Sequence, residues 1–202
     1  MKAIRNAALA VLVIATVTGS VPAAETTYQF GLSDSRTNIS FESTTDFEQI
    51  LGTTNKASGR IVADFEAGKG SVEVTVPVAS LKTGIELRDE HMRSPGWLDA
   101  EKYPEISFTS ESVVNEGDGQ WTARGIFTMH GVSKEMTVDV AVKQIPAALA
   151  EKAGLGGGEW LKGSTTFDIK LSDFGIAIPG MAVAKVNDTW KVTVQAFTGT
   201  GK

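Results

Sequence analysis

The chain contains no cysteine. Disulfide staples and the lipidated cysteine of a bacterial lipoprotein are both excluded, so the fold rests on its apolar core and its paired backbone. Histidine is almost as scarce. His91 and His130 are the only two, and no HxH or HExxH spacing exists. That removes the converging ligands of common metal sites and leaves a Ser-His-Asp scheme almost no base to use. A GxSxG elbow is missing, and the Gly154–Gly158 stretch lacks the Gly-Lys-Ser/Thr ending of a phosphate loop. Asp173-Phe174-Gly175 matches a kinase tripeptide by letters alone, without the glycine loop or catalytic loop that must accompany it. Clusters of Lys and Arg are also missing, and the formal charge is −5. An acidic chain without a basic patch is a poor partner for nucleic acid or an anionic membrane surface.

What is present begins with an export pattern. Lys2 and Arg5 precede an uncharged run from Ala7 to Val17, then Gly19-Ser20 and the small-residue stretch Val21-Pro22-Ala23-Ala24. The run is shorter than the roughly 20 apolar residues a membrane span needs, so residues 1–24 are expected to be a cleaved signal peptide. Residues 25–202 then form one periplasmic domain, and losing Lys2 and Arg5 takes the formal charge from −5 to −7. No later segment approaches membrane-spanning length, and there is no internal repeat.

Alternation of period two runs through this domain. Ile39 and Phe41, Val72 to Val76, Ile106 and Phe108, Trp121 to Met129, Met136 to Val142, Phe167 to Leu171 and Trp190 to Ala196 each place apolar residues on one parity and polar residues on the other. Half-buried antiparallel strands have this signature. Turn residues separate the runs at 66–70, 115–119 and 130–131. Counting Thr26–Leu32, eight or nine strands follow one another through short turns, which predicts a meander closed into a barrel or folded as a sandwich. Two short helices interrupt it, one between Gly84 and Leu98 that ends before Pro95-Gly96, the other over Pro146–Ala153.

The stretch Thr83-Gly84-Ile85-Glu86-Leu87-Arg88-Asp89-Glu90-His91-Met92-Arg93-Ser94 is followed by Trp97-Leu98-Asp99 and Tyr103-Pro104-Glu105-Ile106-Ser107-Phe108. With Gly125 to Lys134 and Leu171 to Ile176, these segments resemble the YceI-like polyisoprenoid-binding proteins over nearly the whole domain. The resemblance implies an all-β fold, an eight-stranded antiparallel lipocalin-like barrel with one or two short helices. It also implies periplasmic binding, transport or storage of an isoprenoid lipid, such as a quinone or polyprenyl phosphate, with no cofactor, no metal and no catalysis. Transient contact with a membrane or membrane protein for loading fits that role, and a homodimer is compatible with it. One departure concerns the ligand: Ser35 to Asp46 holds no histidine, where many members carry one.

The residues expected to bind ligand are Phe41, Arg88, His91, Trp97, Phe108, Phe127 and Phe174. Arg88 and His91 belong to the densest polar cluster, which either meets a head group at the barrel mouth or anchors a lid helix by ion pairs and caps. The aromatic residues either line a ligand channel or fill the core, and in a barrel the two occupy the same space. Two other functions stand beside lipid binding: an envelope interaction protein whose barrel is filled by its own side chains, and an enzyme acting on a lipid head group through Arg88, Asp89 or His91. Small inward residues such as Ala63, Ala123, Gly125 and Ala196 weigh against the first, and the shortage of bases weighs against the second.

Overall fold

Each strand of the wall runs antiparallel to its neighbours. The computed structural model describes residues 25–33 and 36–201, so the expected leader lies outside the described residues. The strands are β1 (Thr26–Gln29), β2 (Asn38–Thr44), β3 (Gln49–Thr54), β4 (Ser58–Asp64), β5 (Lys69–Pro77), β6 (Glu105–Gly117), β7 (Gln120–Met129), β8 (Val132–Ile145), β9 (Trp160–Lys170) and β10 (Thr189–Gly199). Helix α1 (Glu86–Arg93) lies between β5 and β6, and α2 (Ala147–Lys152) between β8 and β9. Both fall inside the segments predicted as helical.

Ten strand segments build an eight-walled barrel because the first two walls are each broken once. β2 pairs with β3 and β1 pairs with β4, so β1–β2 and β3–β4 act as two long neighbouring walls. From β4 the meander continues through β5, β6, β7, β8 and β9 to β10. β10 returns to the start, pairing Lys191–Gln195 with β2 and Gly199 with Gln29 of β1, and closes the ring. Closure pairs the other strands on both sides, while β3 pairs with β2 alone and meets Lys82 through a single bridge at Thr53.

The hairpins follow from local chemistry. Asp118 and Gly119 turn β6 into β7 with φ of 50° and 76°, and His130 and Gly131 turn β7 into β8 with φ of 51° and 73°. Positive φ at both central residues suits the right-handed twist of the flanking strands. His130 is held there by its own side chain, whose Nδ1 donates to the Phe174 carbonyl at 3.0 Å while the ring packs against Tyr103.

β3 does not follow from the alternation rule. Ile50 and Leu51 are adjacent apolar residues on opposite faces, Ile50 buried and Leu51 54% exposed, and Gly52 sits where the inner face needs a side chain. The Phe41 ring occupies that place, and a Cβ on Gly52 would run into it. A glycine that admits a neighbouring aromatic hides the strand from pattern reading.

Two apolar clusters plug the ends of the barrel. The larger, on the α1 side, gathers Val78, Leu81, Met92, Leu98, Met129, Leu171, Phe174 and Ile176 among others. The smaller, at the opposite end, joins Tyr28, Ala63 and Leu161 with Ile61, Phe65 and Val142 packed against them. Each of these large side chains contributes about 1.5–3 kcal/mol by leaving water. Between the plugs the interior is not filled.

Candidate functional site

The unfilled space is a cavity of about 230 Å³ between the two plugs. Its walls come from every strand except β1 and β3, and its exposed surface is apolar. The inner parity of β10 supplies Trp190, Val192, Val194 and Ala196, and β9 supplies Phe167 and Ile169. Room exists because small residues fall on that parity at Ala123, Gly163 and Ala196. A Cβ at Gly163 would meet only a methyl of Val140, at 3.8 Å. Apolar cavities of about 150 Å³ stay dry and accept benzene-sized guests, so this larger one offers no stable place to water and a favourable one to hydrocarbon.

Three of the seven residues expected from sequence line this space: Phe41, Phe108 and Phe127. Phe41 stacks on Trp190 with centroids 5.1 Å apart and planes 12° apart. Trp190 is itself fixed by its indole N–H, which donates to the Asn187 carbonyl at 2.8 Å. Phe174 stands one layer behind the lining, buried and edge-on to Phe127 at 5.5 Å. Trp97 is half-buried against the upper cluster and outside the lining. Sequence reasoning omitted Trp190 from the site, although its shared parity with Val192, Val194 and Ala196 was the signal that points inward.

Arg88 and His91 lie away from the cavity. Arg88 Nε donates to Thr83 Oγ1 at 2.9 Å, and its Nη1 reaches Glu48 Oε1 in the β2–β3 turn at 3.1 Å. Asp89 Oδ1 accepts from both the amide and the hydroxyl of Thr83, at 2.7 and 2.6 Å. Burial alone would raise the Asp89 carboxyl, but these two donors outweigh it and hold it below the usual carboxylate range. His91 is exposed, and its carbonyl accepts from Ser94. The arginine and aspartate therefore fasten α1 to the segment before it and to the neighbouring turn, while Met92 and Leu98 plug the barrel beneath.

The far end carries a polar floor that the sequence did not announce. Tyr28 is fully buried, and its hydroxyl donates to Glu159 Oε2 at 2.7 Å. Burial first, and then the adjacent Glu159 carboxyl, push the Tyr28 phenol well above its ordinary value and keep it protonated. Thr198 continues the inward parity of β10 toward this floor, and its hydroxyl is buried without a protein partner.

Among the described residues no three His, Asp or Glu side chains gather as a metal site. What the barrel interior offers is a shaped apolar surface, with polar atoms confined mainly to its margins.

Comparison with known proteins agrees with this architecture. The family model of the YceI-like domain matches residues 12–197. A UPF0312 protein of Vibrio cholerae is 33% identical over 139 residues, covering 66% of this chain and 68% of its own. Among solved structures, BcnA of Burkholderia cenocepacia superposes with a TM-score of 0.70 at 22% identity, over 83% of this chain and 98% of its own. A domain of Saccharophagus degradans described as polyisoprenoid binding superposes at 0.63 with 17% identity, over 85% of this chain and 97% of its own. At these identities the two structures speak to the fold.

Proposed function

This chain belongs to the YceI-like domain family, and from that premise we propose that it binds and carries an isoprenoid lipid tail inside its barrel. The observation that carries the reading is the apolar cavity of about 230 Å³ held open between two plugged ends. A barrel designed only as a scaffold has no use for Gly163 and Ala196 on its inner face, where larger residues would stabilise it. The polyisoprenoid-binding neighbour supports the same class of ligand. Each five-carbon unit moved from water into such an interior contributes roughly 4 kcal/mol, at about 0.8 kcal/mol per carbon. A few units offset the entropy of ordering the chain.

The YceI-like family and the polyisoprenoid-binding neighbour support a role in binding. The leader expected at residues 1–24 supports a carrier in the periplasm, where an apolar tail needs a protein shell to cross water. Native mass spectrometry of residues 25–202 after incubation with a mixture of polyprenols and quinones tests the reading. One retained lipid per barrel is the expected result, and a protein that emerges without lipid from every mixture overturns it.

A further inference from the structure

The way into the cavity is not evident from its ends. At one end Leu81, Met92, Leu98 and Leu171 are each no more than 7% exposed, and at the other Tyr28 is buried and bonded to Glu159. We infer that the apolar chain enters and leaves through the side of the barrel, at the seam between β8 and β9. This rests on the reading of the cavity as the lipid site.

At this seam, between two of the longest strands, the ladder stops early. β7 pairs with β8 from Gln120–Ala141 to Met129–Val132, and β9 pairs with β10 along its whole length. β8 and β9 pair only from Ala141–Ser164 to Ile145–Trp160. Beyond Ala141, the remainder of β8 toward Val132 and of β9 toward Lys170 has no strand pairing between the two, among the described residues. Successive residues of a strand point their backbone groups to opposite sides. The Asp139 carbonyl faces β9, since it accepts from Thr165 Oγ1 at 2.7 Å. The amides of Glu135, Thr137 and Asp139 therefore face the seam from one lip, and those of Thr166 and Asp168 from the other.

Side-chain links span it near both ends. Thr165 reaches Asp139 near the foot, and Lys134 Nζ meets Asp173 at 3.0 Å near the head, with side chains 42% and 50% exposed. Both are weaker fastenings than a ladder of backbone hydrogen bonds, and the ion pair is open to solvent. Directly behind the lips lie cavity walls: Met136, Val138 and Val140 on β8, Phe167 and Ile169 on β9. Ser164 and Thr165 line both the cavity and a shallow depression on the outer surface that includes Asp139 and Gln195. Interior and exterior are thus separated at this place by two small residues. Parting the lips exposes the apolar interior without unplugging either end.

The absence of native cysteine makes the test direct. Continuing the Ala141–Ser164 register brings Asp139 opposite Thr166, so the D139C/T166C protein can be closed across the seam by oxidation or a short bis-maleimide. The control, T128C/S133C, locks the hydrogen-bonded β7–β8 wall, where the two hydroxyls are 2.8 Å apart. Uptake of all-trans-retinol, a fluorescent isoprenoid alcohol, is followed by stopped flow from phosphatidylcholine vesicles. Closing the seam is expected to slow uptake at least tenfold, with recovery on reduction of the disulfide, and the control lock is expected to leave the rate unchanged. K134Q/D173N is expected to quicken uptake severalfold without altering affinity. Hydrogen exchange supplies an independent reading, with the amides of Glu135, Thr137 and Asp139 exchanging faster than their alternates in β8. Uptake at an unchanged rate through a closed seam, or equal protection along β8, overturns the side entrance alone. No uptake by the unmodified protein removes the lipid reading and the entrance with it.

Discussion

Thr83 gives both its backbone amide and its hydroxyl to one oxygen of Asp89, at 2.7 and 2.6 Å. The same hydroxyl accepts from Arg88, so a single threonine joins the two charged residues that begin the Arg-Asp-Glu-His stretch. The pairing fixes the entry of α1 and, through Arg88 and Glu48, its distance from the β2–β3 turn. Asp89→Ala leaves two donors without their acceptor and is expected to cost about 1.5–3 kcal/mol, the range for hydrogen bonds to a charged group. Urea denaturation measures it. Glu48→Gln, which loses only a half-exposed ion pair, is expected to cost about 1 kcal/mol or less.

Acid should weaken the same clasp. The folded Asp89 carboxyl titrates below its unfolded counterpart, whose value is about 3.9. Its contribution is therefore complete above that value and fades as pH falls through the lower folded value. The stability gap between the wild-type protein and Asp89→Asn, measured by denaturation from pH 7 down to pH 2, is expected to narrow below about pH 4. A gap constant over that range contradicts the assignment.

Alkali acts on the other end. The Tyr28 phenol is raised by burial and by Glu159, so its contribution is complete below the unfolded value of about 10 and is lost as pH rises above it. Tyr28→Phe is expected to cost about 1 kcal/mol at neutral pH through its lost hydrogen bond. Thermal unfolding should show the wild-type protein losing its advantage over the variant above about pH 10.

Filling the cavity should separate binding from folding. Gly163 has ordinary strand geometry and open space before it, so Gly163→Leu grows into the cavity. Lipid retention is expected to fall at least tenfold, with any strain limited to about 1–3 kcal/mol. Fluorescence titration and urea denaturation on one preparation give both quantities. At Gly52 the opposite holds. Gly52→Ala collides with the Phe41 ring, which Trp190 backs, and is expected to destabilise by a comparable about 1–3 kcal/mol.

Where the inner parity is unbroken, as in Trp190 to Ala196 or Trp121 to Met129, the barrel wall and its lining can be read from the chain. Where a glycine yields its place to an aromatic, as at Gly52, the strand disappears from the pattern. Phe41, Phe108 and Phe127 were legible as inward residues, but only the three-dimensional packing separates them from Phe174 one layer behind. Arg88 and His91 drew attention because charge is conspicuous in sequence, yet their partners at Thr83, Glu48 and Ser94 are matters of local geometry. The Tyr28–Glu159 floor joins residues 131 positions apart in a part of the chain with little alternation, and no local signal pairs them.

The most direct test of the account is what the barrel holds when it is purified from cells. Organic extraction of the wild-type protein and of Gly163→Leu, followed by mass spectrometry, compares the two interiors in one measurement. A stoichiometric isoprenoid lipid is expected from the wild-type protein and at most a tenth of that from the variant. An interior without lipid in both, or equal lipid in both, would contradict it.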